Sequence, residues 1–107
     1  MNEFDALYAM VLNRQSNPEE GSYTNYLLDK GVEKICKKVG EEATEVVIAA
    51  CSQSKEDVIN ETSDLLYHLF VLLVEKGISL EEIEAELNRR SQKEHNLKPQ
   101  RRPIENL

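Results

Sequence analysis

The sequence predicts an all-α protein, an antiparallel bundle of about five helices whose core is completed by dimerisation. Three observations predict this fold. Apolar residues recur at steps of three and four through most of the chain, which is the spacing of one face of a helix. No segment alternates apolar and polar residues for long enough to indicate a strand. Helix-breaking residues are rare among the 107 positions, with four glycines and three prolines.

The first two helices are predicted on either side of a polar connector. Apolar residues recur at helical spacing over roughly residues 2–15, and Pro18 breaks that pattern. A short helix is expected from Tyr23 to Asp29. Ser22 is placed to cap its start and Gly31 to end it.

Two long helices are predicted next. An apolar seam in steps of four and three runs through the first of them, formed by Val32, Cys36, Val39, Ala43, Val46 and Ala50. Such a seam is typical of helix-on-helix packing. The second helix opens at Ser54, with Asp57 as its capping-box partner, and runs to about Glu75 before Gly77 ends it. Because only a short link joins the two helices, they should pack antiparallel.

A last helix opens at a full capping box formed by Ser79 and Glu82, and it is expected to run to about Arg90. Beyond it the apolar periodicity fades into polar sequence. We therefore divide the chain into an all-α domain over residues 1–90 and a polar C-terminal tail over residues 91–107. The tail is expected to be loose or to dock on a partner chain.

Small residues of the long seam helix allow two further expectations. The only thiols, Cys36 and Cys51, show no metal-binding or redox spacing and are predicted to be small core residues. Gly40 lies inside the helix, where glycine costs about 1 kcal/mol relative to alanine. Its missing side chain either admits a ligand or a close neighbour, or is merely tolerated.

The charge of the chain excludes some partners. Thirteen basic and twenty acidic residues give a net charge of −7, so there is no general electrostatic attraction to nucleic acid or to an anionic membrane. The longest apolar stretch, Leu65–Val74, is too short to span a bilayer. We expect a cytoplasmic protein with no nucleic-acid or membrane partner. An anionic ligand would need a bound cation to reverse the local field.

Two pairs of acidic residues are the strongest functional signal. Glu42 and Glu45 lie one turn apart beside the apolar seam, and Glu61 and Asp64 lie one turn apart on the following helix. Both pairs are at comparable distances from the link, so the four carboxylates should meet across the two helices. They would repel strongly unless a cation neutralised them. Ligation by oxygen alone predicts Mg²⁺ or Mn²⁺.

Other interpretations of these residues stay open. The acidic pairs could instead be a solvated face that pairs with nearby lysines, namely Lys34, Lys37, Lys38 or Lys55. His68, one turn after Asp64, is expected to pack beside the site rather than bind metal. Candidate phosphate contacts are two lysines and a helix-capping turn, Lys37, Lys38, Ser22, Tyr23 and Thr24. All five also have an ordinary structural explanation as surface lysines and a helix cap.

Taken together, three blocks of sequence closely resemble the phosphoribosyl-ATP pyrophosphatase family, which belongs to the all-α nucleotide pyrophosphohydrolase superfamily. The blocks are Gly21–Thr24, the stretch KVGEEATEVVIAA from Lys38 to Ala50, and ETSDLLYHL from Glu61 to Leu69. The likeness covers about residues 1–90. The paired acids alone are typical of the whole superfamily, whereas the complete blocks are typical of the phosphoribosyl-ATP branch.

The resemblance implies hydrolysis of phosphoribosyl-ATP at its α–β phosphoanhydride, which yields phosphoribosyl-AMP and pyrophosphate in the second step of L-histidine biosynthesis. It implies that Mg²⁺ is held by Glu42, Glu45, Glu61 and Asp64. Glu41 or Glu45 would then take a proton from the attacking water. Substrate phosphates would contact Lys38 and the turn Ser22, Tyr23 and Thr24. The family also implies a homodimer or a dimer of dimers.

Two rival functions follow from the same sequence. One is a house-cleaning pyrophosphohydrolase of the same fold that acts on non-standard nucleoside triphosphates. The other is a non-catalytic acidic helical module that dimerises and binds a partner protein. The first differs from the main hypothesis in its substrate, and the second differs in predicting no pyrophosphate release.

Overall fold

The structure is a computed structural model that describes residues 2–93. It contains five α-helices in this range and no strand, which confirms the predicted all-α fold. In chain order they are α1 (Glu3–Ser16), α2 (Tyr23–Lys30), α3 (Val32–Ser52), α4 (Lys55–Glu75) and α5 (Leu80–Lys93). The long helices α3 and α4 form an antiparallel hairpin. The first helix, α1, packs on α4, and α2 contacts α1 and both helices of the hairpin.

The helices end where local hydrogen bonding directs them to end. At the start of α4, the Ser54 side chain accepts from the Asp57 amide while the Asp57 side chain accepts from the Ser54 amide. This reciprocal capping box was predicted. After α4, Gly77 adopts φ 69°, and the amide of Ile78 donates to the carbonyl of Leu73 at 2.8 Å. That bond satisfies a terminal carbonyl that would otherwise lack a partner.

The core is a small cluster to which each of the first four helices contributes. Val11, Leu27, Ile35 and Val71 are fully buried, and Val74 is nearly so. These residues lie where the first half of α3 passes the second half of α4, with α1 and α2 packed over them. The core therefore stabilises one end of the α3–α4 hairpin. At the other end, α3 and α4 pack only on each other within residues 2–93.

The predicted inward face of α3 was right only in part. Val39, Ala43 and Val46 of the predicted seam are part-buried, whereas Val32, Cys36 and Ala50 are exposed, and Ile35 and Ala49 are buried instead. Both cysteines are exposed, contrary to the expectation that they are core residues. Ile35 buries more apolar surface than its neighbour Cys36 would, and this favours the observed rotation of the helix.

Large apolar side chains remain uncovered at the far end of the hairpin and on α5. Val47 on α3 is 61% exposed and Ile59 on α4 is 53% exposed. Ile83 and Leu87 share one face of α5, and both are exposed. Within residues 2–93 no helix combines the length and the apolarity needed to cross a membrane.

The last helix is three residues longer than predicted, because α5 continues to Lys93 instead of ending near Arg90. The predicted boundary between residues 1–90 and a tail over residues 91–107 therefore falls within a helix. The rest of that predicted tail, residues 94–107, lies outside the described part of the chain.

Candidate metal centre

Three of the four predicted carboxylates meet between α3 and α4. One oxygen each from Glu42, Glu61 and Asp64 lie within 4.8 Å of one another. The antiparallel hairpin places them there, because Glu42 precedes the link by about as many residues as Asp64 follows it. The predicted convergence of acidic side chains from two helices is therefore present in a single chain.

Glu42 is the most enclosed member of the cluster. It lies on the inward face of α3, between Val39 and Val46, and its side chain is only 14% exposed. A carboxylate held there by apolar neighbours on its own helix cannot move freely into solvent. Because the packing of α3 on α4 fixes its position, the charge of Glu42 stays close to the two acids of α4.

The fourth predicted acid, Glu45, lies at the edge of this cluster. Its side chain is exposed, yet its charge is among those that raise the pKa of Glu61. Glu45 therefore faces the centre without belonging to the three closest oxygens. It makes no side-chain hydrogen bond or ion pair with another residue of 2–93.

Glu61 is the electrostatically strained member of the group. Partial desolvation raises the pKa of its carboxyl above the ordinary 4.5, and the charges of Asp64, Glu45, Glu42 and Asp57 raise it further, in that order. Three of these charges come from the other predicted ligands. The direction of the shift means that these surroundings disfavour the charged form of the Glu61 carboxyl.

Lys38 supplies the one nearby positive charge that the structure pairs with these acids. Its Nζ lies 3.7 Å from Glu42 and 3.8 Å from Glu41. Of the four lysines that could neutralise an acidic face, only Lys38 therefore pairs with these acids. Among the described residues, Lys34, Lys37 and Lys55 form no ion pair within 4.0 Å, and Lys37 points into solvent.

The donor set fits a small, hard divalent cation. All the converging atoms are carboxylate oxygens, which suit Mg²⁺, and a few carboxylates leave coordination positions for water and phosphate. Neutralising the mutual repulsion would also relieve the strain at Glu61.

His68 packs beside the centre, and both of its ring nitrogens have partners. Nδ1 lies 2.7 Å from the backbone carbonyl of Asp64, and Nε2 lies 3.1 Å from the hydroxyl of Tyr23. A carbonyl only accepts, so Nδ1 carries the hydrogen, and in the neutral ring Nε2 accepts from Tyr23. With both nitrogens engaged, His68 links α2 to α4, the helix that carries Glu61 and Asp64.

The side chains of Ser22, Tyr23 and Thr24 have different hydrogen-bond partners. Ser22 caps α2 as predicted, its Oγ accepting from the Asn25 amide at 3.1 Å. Thr24 is buried, and its hydroxyl is hydrogen-bonded to that of Tyr67. Only Tyr23 is both exposed and connected to the metal centre, through His68. Direct phosphate contact by Ser22 or Thr24 stays a prediction.

Sequence reasoning missed Asn25, which holds this turn in place. The side chain is nearly buried, and its amide nitrogen donates to the carbonyl of Arg14 at 2.8 Å. Its amide oxygen accepts from the backbone of Glu19 at 2.8 Å. Asn25 thereby ties together α1, the connector and α2. An isolated asparagine near a helix start gives no sequence signal for such a role.

An open depression of about 650 Å³ lies beside the same turn, against the connector. Glu19, Glu20 and Asp29 line it together with Tyr23 and Tyr26. Three acidic side chains give it a negative potential, which disfavours a phosphate.

Comparisons with known proteins agree on one family. Residues 4–91 match the family described as phosphoribosyl-ATP pyrophosphohydrolase. The phosphoribosyl-ATP pyrophosphatase of Clostridium acetobutylicum is 57% identical over 101 residues, covering 94% of this chain and 92% of that protein. The same-named protein of Streptococcus thermophilus is 58% identical over 93 residues, covering 87% and 89%. The histidine biosynthesis bifunctional protein HisIE of Caldanaerobacter subterraneus is 61% identical over 87 residues, covering 81% and 42%.

The strain at Glu61 makes a prediction about stability without metal. An acid with a raised pKa in the folded state lowers stability above that pKa, and the loss disappears as the pH falls toward the unfolded value. Glu61→Gln should therefore melt at a higher temperature than the parent protein at pH 7 in the presence of EDTA. The difference should shrink as the pH falls through the raised pKa toward 4.5. Thermal melts followed by circular dichroism measure both effects.

Glu84→Gln is the matched control, because Glu84 is exposed on α5 and its substitution removes the same charge elsewhere. It should show no such pH-dependent gain. If Glu61→Gln melts at or below the temperature of the parent protein at pH 7, the carboxylates do not strain one another.

Proposed function

The chain belongs to the phosphoribosyl-ATP pyrophosphohydrolase family, and we infer that it hydrolyses phosphoribosyl-ATP to phosphoribosyl-AMP and pyrophosphate in L-histidine biosynthesis. One observation of the structure carries the chemical part of this inference. It is the convergence of Glu42, Glu61 and Asp64, whose oxygens lie within 4.8 Å of one another. We propose that these three acids, with Glu45 beside them, hold Mg²⁺.

When bound, Mg²⁺ would neutralise charge on the phosphate oxygens and make a coordinated water easier to deprotonate. The side chains of the protein position the substrate and accept a proton from the attacking water. Glu42, Glu61 and Asp64 orient the α–β phosphoanhydride by fixing the place of the cation. Their helices are packed on each other, so the arrangement exists before substrate arrives, and preorganised charge is what stabilises a transition state.

Glu45 is the better of the two predicted proton acceptors. Glu41 is not among the charges that raise the pKa of Glu61, whereas Glu45 is, so Glu45 is the more closely coupled to the centre. Glu45 has no ion-pair partner within residues 2–93, and its charge helps to raise the pKa of Glu61 on the facing helix. A carboxylate that faces the centre but is not fully used as a ligand is suited to accept a proton from water.

Lys38 is suited to follow the charge of the substrate. In the structure it is shared between two carboxylates at 3.7 and 3.8 Å, distances that are long for a strong ion pair. The lysine can turn from Glu42 to a phosphate oxygen and would there compensate the charge of the departing pyrophosphate. Lys37 points into solvent, and its predicted phosphate contact would require the substrate to extend that far.

The rival functions are less well supported. The curated relatives in the comparisons carry the name of the enzyme or of a histidine biosynthesis protein, which disfavours both a non-catalytic module and a house-cleaning triphosphatase. Measuring pyrophosphate release from phosphoribosyl-ATP and from a panel of nucleoside triphosphates under the same conditions separates the three.

We also propose that the chain functions as a homodimer that pairs through the outward face of α3. That face carries small or apolar residues that no other described residue covers, namely Val32, Cys36, Gly40, Val47 and Ala50. A Cβ added at Gly40 would meet no atom within 4 Å. The space that this glycine leaves is therefore not used inside the described chain, and a close-packed second copy would use it.

The unsupported half of the α3–α4 hairpin strengthens the dimer proposal. Two helices alone cannot bury the faces that Val47, Ile48 and Ile59 expose, and isolated helix pairs gain little stability without further packing. A dimer of dimers is compatible with the exposed face of α5. Cytoplasmic location also remains a proposal; the exposed, unpaired thiols of Cys36 and Cys51 suit a reducing compartment.

The catalytic proposal predicts the effect of removing single charges. Glu42→Gln and Asp64→Asn should each lower Mg²⁺-dependent pyrophosphate release from phosphoribosyl-ATP by at least about 100-fold, on the scale typical of lost transition-state electrostatics. Glu45→Gln should reduce kcat more than Glu41→Gln does. A coupled pyrophosphate assay with and without Mg²⁺ measures these rates.

Glu84→Gln again serves as the control and should keep full activity. Circular dichroism checks that each variant is folded. Folded Glu42→Gln or Asp64→Asn protein with parental activity would refute the assignment of the metal ligands, and parental activity in EDTA would refute the need for a divalent cation.

The dimer proposal predicts that a charge on the outward face of α3 separates the copies. Val47→Asp should shift the sedimentation coefficient from that of a dimer to that of a 12.3 kDa monomer, because an unpaired carboxylate is costly to bury at an interface. Analytical ultracentrifugation at micromolar concentration measures this. Asn13→Asp, an exposed position on α1, should leave the dimer intact. A parental protein that is active and monomeric would contradict the proposal.

A further inference from the structure

Two exposed tyrosines of α2 form a stacked pair next to the metal centre. The rings of Tyr23 and Tyr26 are 6.0 Å apart between centroids and inclined by 19°. Tyr23 also stacks on Tyr67 of α4 at 6.1 Å and 22°. Although they belong to this aromatic row, Tyr23 and Tyr26 remain 46% and 42% exposed. The exposed surface of these two rings is suited to contact a planar ligand.

Two lysines approach the outer ring of this row. The Nζ of Lys30 is 5.7 Å from the centre of the Tyr26 ring, and that of Lys34 is 6.0 Å from it. Neither forms an ion pair within 4.0 Å of a carboxylate in residues 2–93, although the chain carries a net charge of −7. The structure thus keeps two positively charged groups together without a direct ion-pair partner in residues 2–93, and such a pair favours an anion.

The tyrosines and lysines lie close to the residues of the metal centre. The Tyr23 hydroxyl is hydrogen-bonded to His68, whose Nδ1 donates to the carbonyl of Asp64. Along α3, Lys34 precedes Lys38 by one turn, and Lys38 contacts Glu42. Lys34 and Glu42 are eight positions apart, about 12 Å along the helix axis. Basic, aromatic and acidic groups therefore follow one another along one side of the bundle.

The substrate named in the proposed function has the same order of groups. Phosphoribosyl-ATP differs from ATP by a second ribose phosphate attached to the purine, so the purine lies between two phosphate-bearing ends. The triphosphate end must reach the metal centre for hydrolysis to occur. The purine and the additional phosphate must then extend away from that centre along the protein surface.

We propose that Lys30 and Lys34 bind the phosphate of the phosphoribosyl group, while Tyr23 and Tyr26 contact the purine between that phosphate and the metal centre. This inference rests on the proposed function and names the residues that distinguish the substrate from ATP. The lysines are held only by weak contacts with Tyr26, so they can turn from the ring to a phosphate at little cost. None of the four residues takes part in the hydrolytic step.

The test compares the affinity of the product phosphoribosyl-AMP with that of AMP by isothermal titration calorimetry. The parent protein should bind phosphoribosyl-AMP at least about tenfold more tightly than AMP, since only the former has the additional phosphate. The double variant Lys30→Ala/Lys34→Ala should lose this preference and bind the two ligands within about threefold. Its KM for phosphoribosyl-ATP should rise by about tenfold, with kcat changed by less than about twofold.

Two further variants separate the roles of the two residue types. Tyr26→Leu should weaken AMP and phosphoribosyl-AMP by the same factor, because the purine is common to both. Lys30→Arg/Lys34→Arg keeps the charge and should keep the preference. Lys55→Ala, at the exposed start of α4, removes a lysine at the opposite end of the hairpin from this surface and should behave as the parent protein does.

The inference is overturned if the double alanine variant keeps the preference for phosphoribosyl-AMP, or if the parent protein has none. In either case pyrophosphate release by the parent protein would leave the proposed function intact. Absence of pyrophosphate release from phosphoribosyl-ATP by the parent protein would instead refute the proposed function itself.

Discussion

Repulsion between carboxylates at one point of the α3–α4 interface is the constraint on which the site depends. Glu42 is held on the inward face of its helix by flanking apolar residues, and Glu61 and Asp64 face it from α4. Apolar packing therefore brings together charges that would otherwise separate. Partial desolvation and, after it, the charges of these acids raise the pKa of Glu61. A binding site for a divalent cation is the arrangement in which the same packing and the same charges become mutually favourable.

The second helix links this centre to the rest of the surface. Gly31, with φ 89°, is the only residue between α2 and α3, so the chain changes direction at a single residue, and α2 packs against both helices of the hairpin. Asn25 fixes the other end of α2 to α1. With both ends held, Tyr23 reaches His68 on α4, and Lys30 lies next to Lys34 on α3. A short helix of eight residues thereby places Tyr23 beside the helix that carries Glu61 and Asp64.

Much of the fold could be predicted because its signals are local. Helical spacing, the Ser54 capping box and the glycine at position 77 each depend on residues within a few positions. The convergence of the acids was predictable as well, since an antiparallel hairpin pairs positions equidistant from its link. The rotation of α3 was not, because Ile35 and Cys36 are both apolar. Only the burial of Ile35 among residues from three other helices decides which of them faces the core. The partners of Thr24 and His68 lie about 45 positions away, and no local pattern specifies them.

The central claim is that a divalent cation lies between the two long helices, and Mn²⁺ tests it most directly because its anomalous scattering marks its position. Crystals of the active protein grown with Mn²⁺ should show an anomalous peak within coordination distance of Glu42, Glu61 and Asp64. A catalytically active crystal form in which Mn²⁺ binds elsewhere, and this groove holds only water, would contradict the account.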